Sequence, residues 1–144
     1  MFDTNIFNGI RDGRIDISSF DKRHHYYTTH IQYDEVCNTQ DPSRRAALKT
    51  LFKYAACVPT ETAVVGTSRL DMCKIPDDDH YDRLLNELDR LERKDNNQED
   101  ALIADTAIKK GHILVTNDRS LRKVASKMGG KVKSLDEFLR IMRD

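Results

Sequence analysis

Three aspartates in this chain stand where a carboxylate is costly and needs a reason. Asp3 follows only Met1 and Phe2 and leads directly into Thr4-Asn5-Ile6-Phe7. Asp100 falls on the apolar stripe of a helical pattern, in register with Ile103, Ala104 and Ala107. Asp118 comes two residues after the apolar run Ile113-Leu114-Val115-Thr116. Ligands of open α/β sheets bind outside the carboxyl ends of the strands, and Asp3 and Asp118 both fall at that edge. The loop before Asp100 returns to it. Two carboxylates ~4 Å apart repel by about 4 kcal/mol at an effective dielectric near 20. A divalent cation reverses the sign of that term, and ligands that are all oxygen suit Mg²⁺ or Mn²⁺. An ion of this kind activates water and polarises a phosphoryl oxygen. The chemistry expected of such a cluster is metal-dependent phosphodiester hydrolysis.

Each acid also has a plainer use. Asp118 can cap the helix that follows it, and Asp100 can supply the reciprocal half of a capping box opened by Asn97. Nothing else in the chain competes as a reactive centre. No Ser-His-acid or Cys-His arrangement is present, and there is no glycine-rich phosphate loop. His24 and His25 sit in a basic turn, and His30, His80 and His112 lack metal-ligand spacing.

The elements that must position these acids are clearest in the last third. A helix burying Ile103, Ala104, Ala107 and Ile108 stops at Gly111, and Ile113 to Thr116 reads as a strand covered on both faces. The next helix carries Leu121, Val124, Ala125 and Met128 and ends at Gly129-Gly130. Val132 marks a short strand, and Ser134 with Glu137 forms a capping-box pattern before Phe138, Leu139 and Ile141.

Earlier in the chain, Ile6, Phe7 and Ile10 recur at helical spacing, and Ile15 and Ile17 lead into the turn Asp21-Lys22-Arg23-His24-His25. Tyr26 to Thr29 predicts a second strand, and a helix is expected through Asp34, Glu35 and Val36. A longer helix capped by Asp41 or Ser43 is expected to bury Ala46, Ala47, Leu51, Tyr54 and Ala55. Thr62 to Val65 reads equally as a short strand or a helix start. The acidic turn Pro76 to Asp79 precedes an amphipathic helix with Tyr81, Leu84, Leu85, Leu88 and Leu91 on one side. This alternation predicts one α/β domain over residues 1–144, a three-layer α/β/α sandwich with a mostly parallel central sheet.

Bulk properties narrow the class. At 144 residues the chain is large enough for a core without staples. No stretch approaches the ~18 apolar residues of a membrane span, and no signal-peptide pattern opens the chain. Cys37, Cys57 and Cys73 are odd in number and read as free thiols of a reducing, cytoplasmic compartment. The formal net charge is zero but unevenly spread: Asp71 to Asp105 holds 12 acids against 5 bases, whereas Lys109 to Lys133 holds 8 bases and one acid, Asp118. Such asymmetry can steer a polyanion to one face or simply compensate within the fold.

Taken together these residues resemble the PIN-domain ribonuclease family. Asp3-Thr4-Asn5-Ile6-Phe7 resembles its opening motif, and Thr29 to Glu35 the segment in which a Ser or Thr precedes the second acid by six residues. Asp100-Ala101-Leu102-Ile103-Ala104 with Ala107 matches the helix bearing the third acid, and Leu114-Val115-Thr116-Asn117-Asp118 the motif bearing the fourth. The resemblance implies Mg²⁺- or Mn²⁺-dependent RNA cleavage with Asp3, Glu35, Asp100 and Asp118 as catalytic and metal-holding acids. Asn5, Thr116 and Asn117 would support them. The compact length is most similar to VapC-type toxins, which implies a homodimer and an antitoxin protein as partners. A housekeeping nuclease without antitoxin, a catalytically inactive RNA-binding module and a phosphatase of small substrates are the alternatives.

The strand of only two residues before Asp3 departs from most relatives. Asp105 is expected to pair with Lys109 at i,i+4, and Glu99 to serve as first-turn charge. Arg119, Arg122, Lys123 and Lys127, beside Asp118, are expected to hold RNA phosphates. Tyr26, Tyr27 and Tyr33 could stack bases, but core packing or a dimer contact is the reading favoured.

Overall fold

Local capping chemistry sets most of the element boundaries in the computed structural model, which describes residues 1–13, 20, 23–75 and 78–142. Helix α1 (Thr4–Arg11) starts at Asp3, whose side chain accepts from the Thr4 N–H. Strand β1 (Tyr27–Thr28) leads into α2 (His30–Cys37), opened by a full capping box between Thr29 and Gln32. Asp41 caps α3 (Pro42–Leu51) through the Ser43 and Arg44 N–H groups, with Pro42 at the first position, where its missing donor costs nothing. Strand β2 (Ala56–Cys57) follows, then α4 (His80–Leu91), α5 (Asn97–Lys109) and β3 (Ile113–Val115). Helix α6 (Arg119–Lys127) is capped by Asp118, β4 spans Lys131–Lys133, and α7 (Leu135–Ile141) opens with the expected Ser134–Glu137 capping box. Gly111 ends α5 with φ 67°, a left-handed turn that costs glycine little.

The expected three-layer sandwich around a central parallel sheet does not form. Helix, short 3-10 turns included, makes up 55% of the described residues, which hold seven α-helices. The strands are two parallel pairs, β1 with β2 and β3 with β4, each two or three residues long. The parallel sense follows from the alternation of strand and helix, but runs this short supply too little ladder to make a sheet the organising layer. The apolar surface is carried by helices instead.

The three N-terminal residues lie between the two pairs. Phe2 forms an isolated parallel bridge with Val115. Asp3 N–H donates to the Val115 carbonyl at 3.1 Å, Val115 N–H to Met1 at 2.9 Å, and Phe2 N–H to Tyr27 at 3.0 Å. The Phe2 carbonyl in turn accepts from Gln32 Nε2 at 2.9 Å. The Phe2 ring packs against Phe7, Phe20, Tyr26 and Phe138. Two residues of chain thus hold Asp3 firmly, because every polar group of Phe2 is bonded and its ring is enclosed.

Two apolar clusters flank this segment. One joins Leu84 and Leu88 of α4, Leu102 and Ile103 of α5, and Leu121 and Val124 of α6. The other joins Ile6, Phe7 and Ile10 of α1 to Val36, Leu48, Val115 and Leu135. Burying each such side chain contributes roughly 1.5–3 kcal/mol before entropy.

Several local expectations are corrected. Helix α3 buries Leu48; Ala46 and Ala47 are exposed, Leu51 and Ala55 half-buried, and Tyr54 is 59% exposed. Thr62 to Val65 is neither strand nor helix but the approach to a turn. Leu85 is only half-buried and Leu91 lies at the exposed end of α4. Asn97 and Asp100 form no capping box: Asn96 takes the cap position with no side-chain bond to the helix N–H groups, and Asn97 donates to Asp89 and the Glu92 carbonyl. Ile15, Ile17, the Asp21-Lys22 part of the basic turn and the Pro76-Asp77 start of the acidic turn lie outside the described residues. Tyr26 and Tyr27 are packed, Tyr27 stacking on His112 at 4.3 Å, and Tyr33 meets the edge of Phe52. Cys37, Cys57 and Cys73 are free thiols. Among the described residues no helix is long and apolar enough to cross a membrane.

Candidate metal centre

Asp3, Glu35, Asp100 and Asp118 all line one cavity of ≈ 480 Å³. They reach it from four elements: the cap of α1, the middle of α2, the first turn of α5 and the cap of α6. Asp3 and Asp100 are 5% and 6% exposed, so their charge is largely removed from water.

Asp3 is held by three donors. Its Oδ1 accepts from Thr4 N–H at 2.6 Å, and its Oδ2 from Asn5 Nδ2 at 2.5 Å and Thr116 Oγ1 at 2.6 Å. Asn5 also donates to Thr116 Oγ1 at 3.1 Å, and its Oδ1 accepts from Asn117 N–H at 3.3 Å. Thr116 Oγ1 accepts from Asp118 N–H at 3.0 Å, which couples the first acid to the fourth. The Asn117 side chain turns away and accepts from Leu135 N–H at 3.2 Å, anchoring α7. Asn5 and Thr116 thus orient Asp3, whereas Asn117 supports the site through its backbone.

Glu35 accepts a hydrogen bond from the Thr4 hydroxyl. Asp100, with its capping role absent, has one weak neutral partner, Asn96 Nδ2 at 3.4 Å. Asp118 does cap α6, its Oδ1 accepting from Leu121 N–H at 2.8 Å, and its Oδ2 takes Lys94 Nζ at 2.6 Å. The plain and the chemical reading of Asp118 are compatible, because each uses a different oxygen.

The electrostatics follow this arrangement. Burial, then repulsion from Asp3, Asp118 and Glu35, pushes the Asp100 carboxyl up to about 8. Burial raises Glu35 to about 7, against the Thr4 bond and with help from Asp3 and Glu99. Asp3 is raised by burial, which outweighs its Thr116 and Thr4 bonds. Asp118 alone is lowered: burial raises it, but Lys94 and the Leu121 N–H prevail. Three of the four acids are therefore destabilised as anions: Lys94 favours Asp3 and Asp100 only weakly, and none of the three is in an ion pair among the described residues.

Among the described residues no group of three or more His, Cys, Asp or Glu side chains is arranged to hold a metal ion. Thr4 holds Glu35, Lys94 holds Asp118, and Asn5 with Thr116 holds Asp3. The donor set nevertheless fits a hard divalent cation. It consists of oxygen alone, it converges on one cavity, and its mutual repulsion is what a cation relieves.

Lys94 is a member of the site that sequence reasoning missed. Its signal was faint, a base inside the acidic stretch from Asp71 to Asp105. Asp105 lies elsewhere, fully buried between Thr62 Oγ1 at 2.8 Å and His80 Nδ1 at 2.7 Å, with the expected Lys109 at 3.3 Å. Glu99 lines a separate cavity beside Arg69 and Glu35. None of Arg119, Arg122, Lys123 and Lys127 lines the carboxylate cavity. Arg122 donates to the Thr116 carbonyl at 3.3 Å and Lys127 pairs with Glu87 at 2.6 Å. Arg119 and Lys123 are exposed, with no ion pair among the described residues.

No family model matches the chain, and no curated protein matches it.

Proposed function

We propose that the protein is a metal-dependent endoribonuclease, hydrolysing RNA phosphodiester bonds at the cavity formed by Asp3, Glu35, Asp100 and Asp118. The observation that carries this reading is the convergence of four carboxylates from four separate elements on one cavity, with Asp3 and Asp100 buried in its wall; there burial and three neighbouring carboxylates push Asp100 up to about 8. A fold retains so unfavourable a group where a cation is to be bound. Mg²⁺ or Mn²⁺ bound there would supply water activation and phosphoryl polarisation. Asp3, Glu35, Asp100 and Asp118 would hold it. Thr116 and Asn5 fix the Asp3 carboxylate in one orientation, so no side-chain reorganisation is needed when charge builds on the substrate. Lys94, paired with Asp118 at 2.6 Å, sets a cation beside the site that would favour a phosphate there. Arg119 and Lys123 extend a phosphate track beside Asp118.

Lys94 on Asp118 also favours a second reading, a catalytically inactive RNA-binding module whose charge is balanced internally. The narrower assignment, the toxin of a toxin–antitoxin pair acting as a homodimer, rests on the sequence resemblance. The mass of the purified particle tests its dimeric half.

The experiment is incubation of total RNA with the protein, with and without Mn²⁺, followed by mapping of the cut ends. Wild type is expected to cleave only with the ion, and Asp3→Asn to be at least 100-fold slower, a loss of roughly 3 kcal/mol. Arg119→Ala is expected to weaken RNA binding and flatten its salt dependence. RNA binding without Mn²⁺-dependent cleavage would instead establish the inactive module.

A further inference from the structure

The wall of the carboxylate cavity is not wholly acidic. Arg44, in the first turn of α3, lines the same space as Asp3, Glu35, Asp100 and Asp118. Its guanidinium is bonded to a neutral group, Nη2 donating to Asn8 Oδ1 at 2.7 Å. No carboxylate among the described residues pairs with its side chain, although five line the cavity it shares, Asp41 among them, which takes only the Arg44 backbone N–H. Arg11, Arg69 and Arg90, by contrast, each hold an acid. The side chain is half-buried, and none of its nitrogens is a buried atom without a partner. Its remaining N–H donors therefore stay available to an anion from outside the chain.

Position and chemistry identify that anion. A planar guanidinium fork matches the two oxygens of a phosphate, is permanently charged, and gives up little hydration on binding. Asn8 belongs to α1, the helix capped by Asp3, so the bond to Arg44 places the cation in a fixed relation to the first acid. The cavity, ≈ 480 Å³, has the size of a small-ligand pocket, and Asp3 and Asp100 lie buried in its wall, so a backbone that reaches them is best presented by a single strand.

We propose that Arg44 is a substrate-binding residue that takes a backbone phosphate of single-stranded RNA next to the bond presented to the carboxylates. This rests on the nuclease reading above and adds to it a cation on the wall formed by α1 and α3, away from α6. Arg44 fixes the strand's register in the cavity, whereas Arg119 and Lys123 act on its extension.

The test is fluorescence anisotropy with a short labelled single-stranded oligouridine in Ca²⁺ across a salt series, paired with Mn²⁺ titration followed by electron paramagnetic resonance. Arg44→Ala is expected to weaken oligouridine binding about tenfold and to reduce the salt slope by about 0.7, one phosphate contact on a single strand. Arg44→Lys is expected to recover the slope but only part of the affinity, because it keeps charge without the fork. Mn²⁺ affinity should be that of wild type in both variants. A purely structural clamp between α3 and α1 would instead lower the melting temperature while leaving affinity and slope unchanged. Wild-type binding by Arg44→Ala with Mn²⁺ affinity intact overturns the Arg44 assignment alone. Failure of the wild-type protein to bind oligouridine or Mn²⁺ overturns the nuclease reading and this one with it.

Discussion

Asp100 bears an electrostatic cost that the apo protein pays at neutral pH. Burial and three neighbouring acids lift it from the usual 3.8 to about 8, and Glu35 from 4.5 to about 7. In the folded chain these groups keep protons that the unfolded chain has already released. Their contribution to stability is therefore complete below pH 4 and is lost as pH rises through 7 to 8. Melting temperature in EDTA is expected to fall across that window. Asp100→Asn removes the titration, so it should flatten the decline and exceed wild type in stability at pH 8. Each kcal/mol recovered corresponds to roughly 4 °C in a domain of this size. Parallel melting profiles for the two proteins would show that Asp100 does not feel its neighbours in this way. Asp118 behaves oppositely, since Lys94 stabilises its anion and holds the carboxyl below its usual range.

Asp3 depends on an element of only a few residues, and Gln32 is what makes so short an element rigid. Gln32 is fully buried, donates to the Phe2 carbonyl at 2.9 Å, and accepts from the Thr29 N–H at 2.8 Å and the Thr29 hydroxyl at 2.5 Å. Gln32→Ala leaves buried backbone groups without partners and is expected to cost about 2–3 kcal/mol in urea unfolding. Cleavage should fall with it, because the strand that presents Asp3 is loosened. A loss below about 0.5 kcal/mol would mean that Phe2 is held by its aromatic contacts alone.

The sequence made the helices legible where apolar period and caps agreed, as at Leu121, Val124 and Ala125 or at Ser134 with Glu137. It misled at Asn97, because Asn97 is drawn to Asp89 and Glu92 and the cap shifts to Asn96. That shift leaves Asp100 without the capping role its spacing suggested. Strands of two or three residues were legible in direction but not in extent. Two residues carry too little alternation to reveal that helices would supply the layers. Gln32 gave no sign, since a buried glutamine's partners are set by tertiary contacts.

Across the whole molecule, the acidic and basic stretches of the chain meet each other in part. Lys127 of α6 reaches Glu87 of α4, Lys94 reaches Asp118, and Lys109 reaches Asp78. Charge asymmetry along the sequence is thus spent partly inside the fold, which a linear count could not show. What remains unbalanced is local: three raised carboxylates around one cavity, with Arg44 on its wall. The four acids come from segments up to 115 positions apart (Asp3 to Asp118), so their convergence is a property of the fold as a whole. We propose that this convergence makes one divalent-cation site. Mn²⁺ binding, followed by electron paramagnetic resonance and by thermal melting, tests it most directly. Wild type is expected to bind Mn²⁺ and to melt several degrees higher at saturation, since ~100-fold excess over Kd adds about 2.7 kcal/mol. Asp3→Asn and Asp100→Asn should each lose most of that gain while remaining folded. Mn²⁺ that does not bind, or that stabilises wild type and both variants equally, would contradict the account.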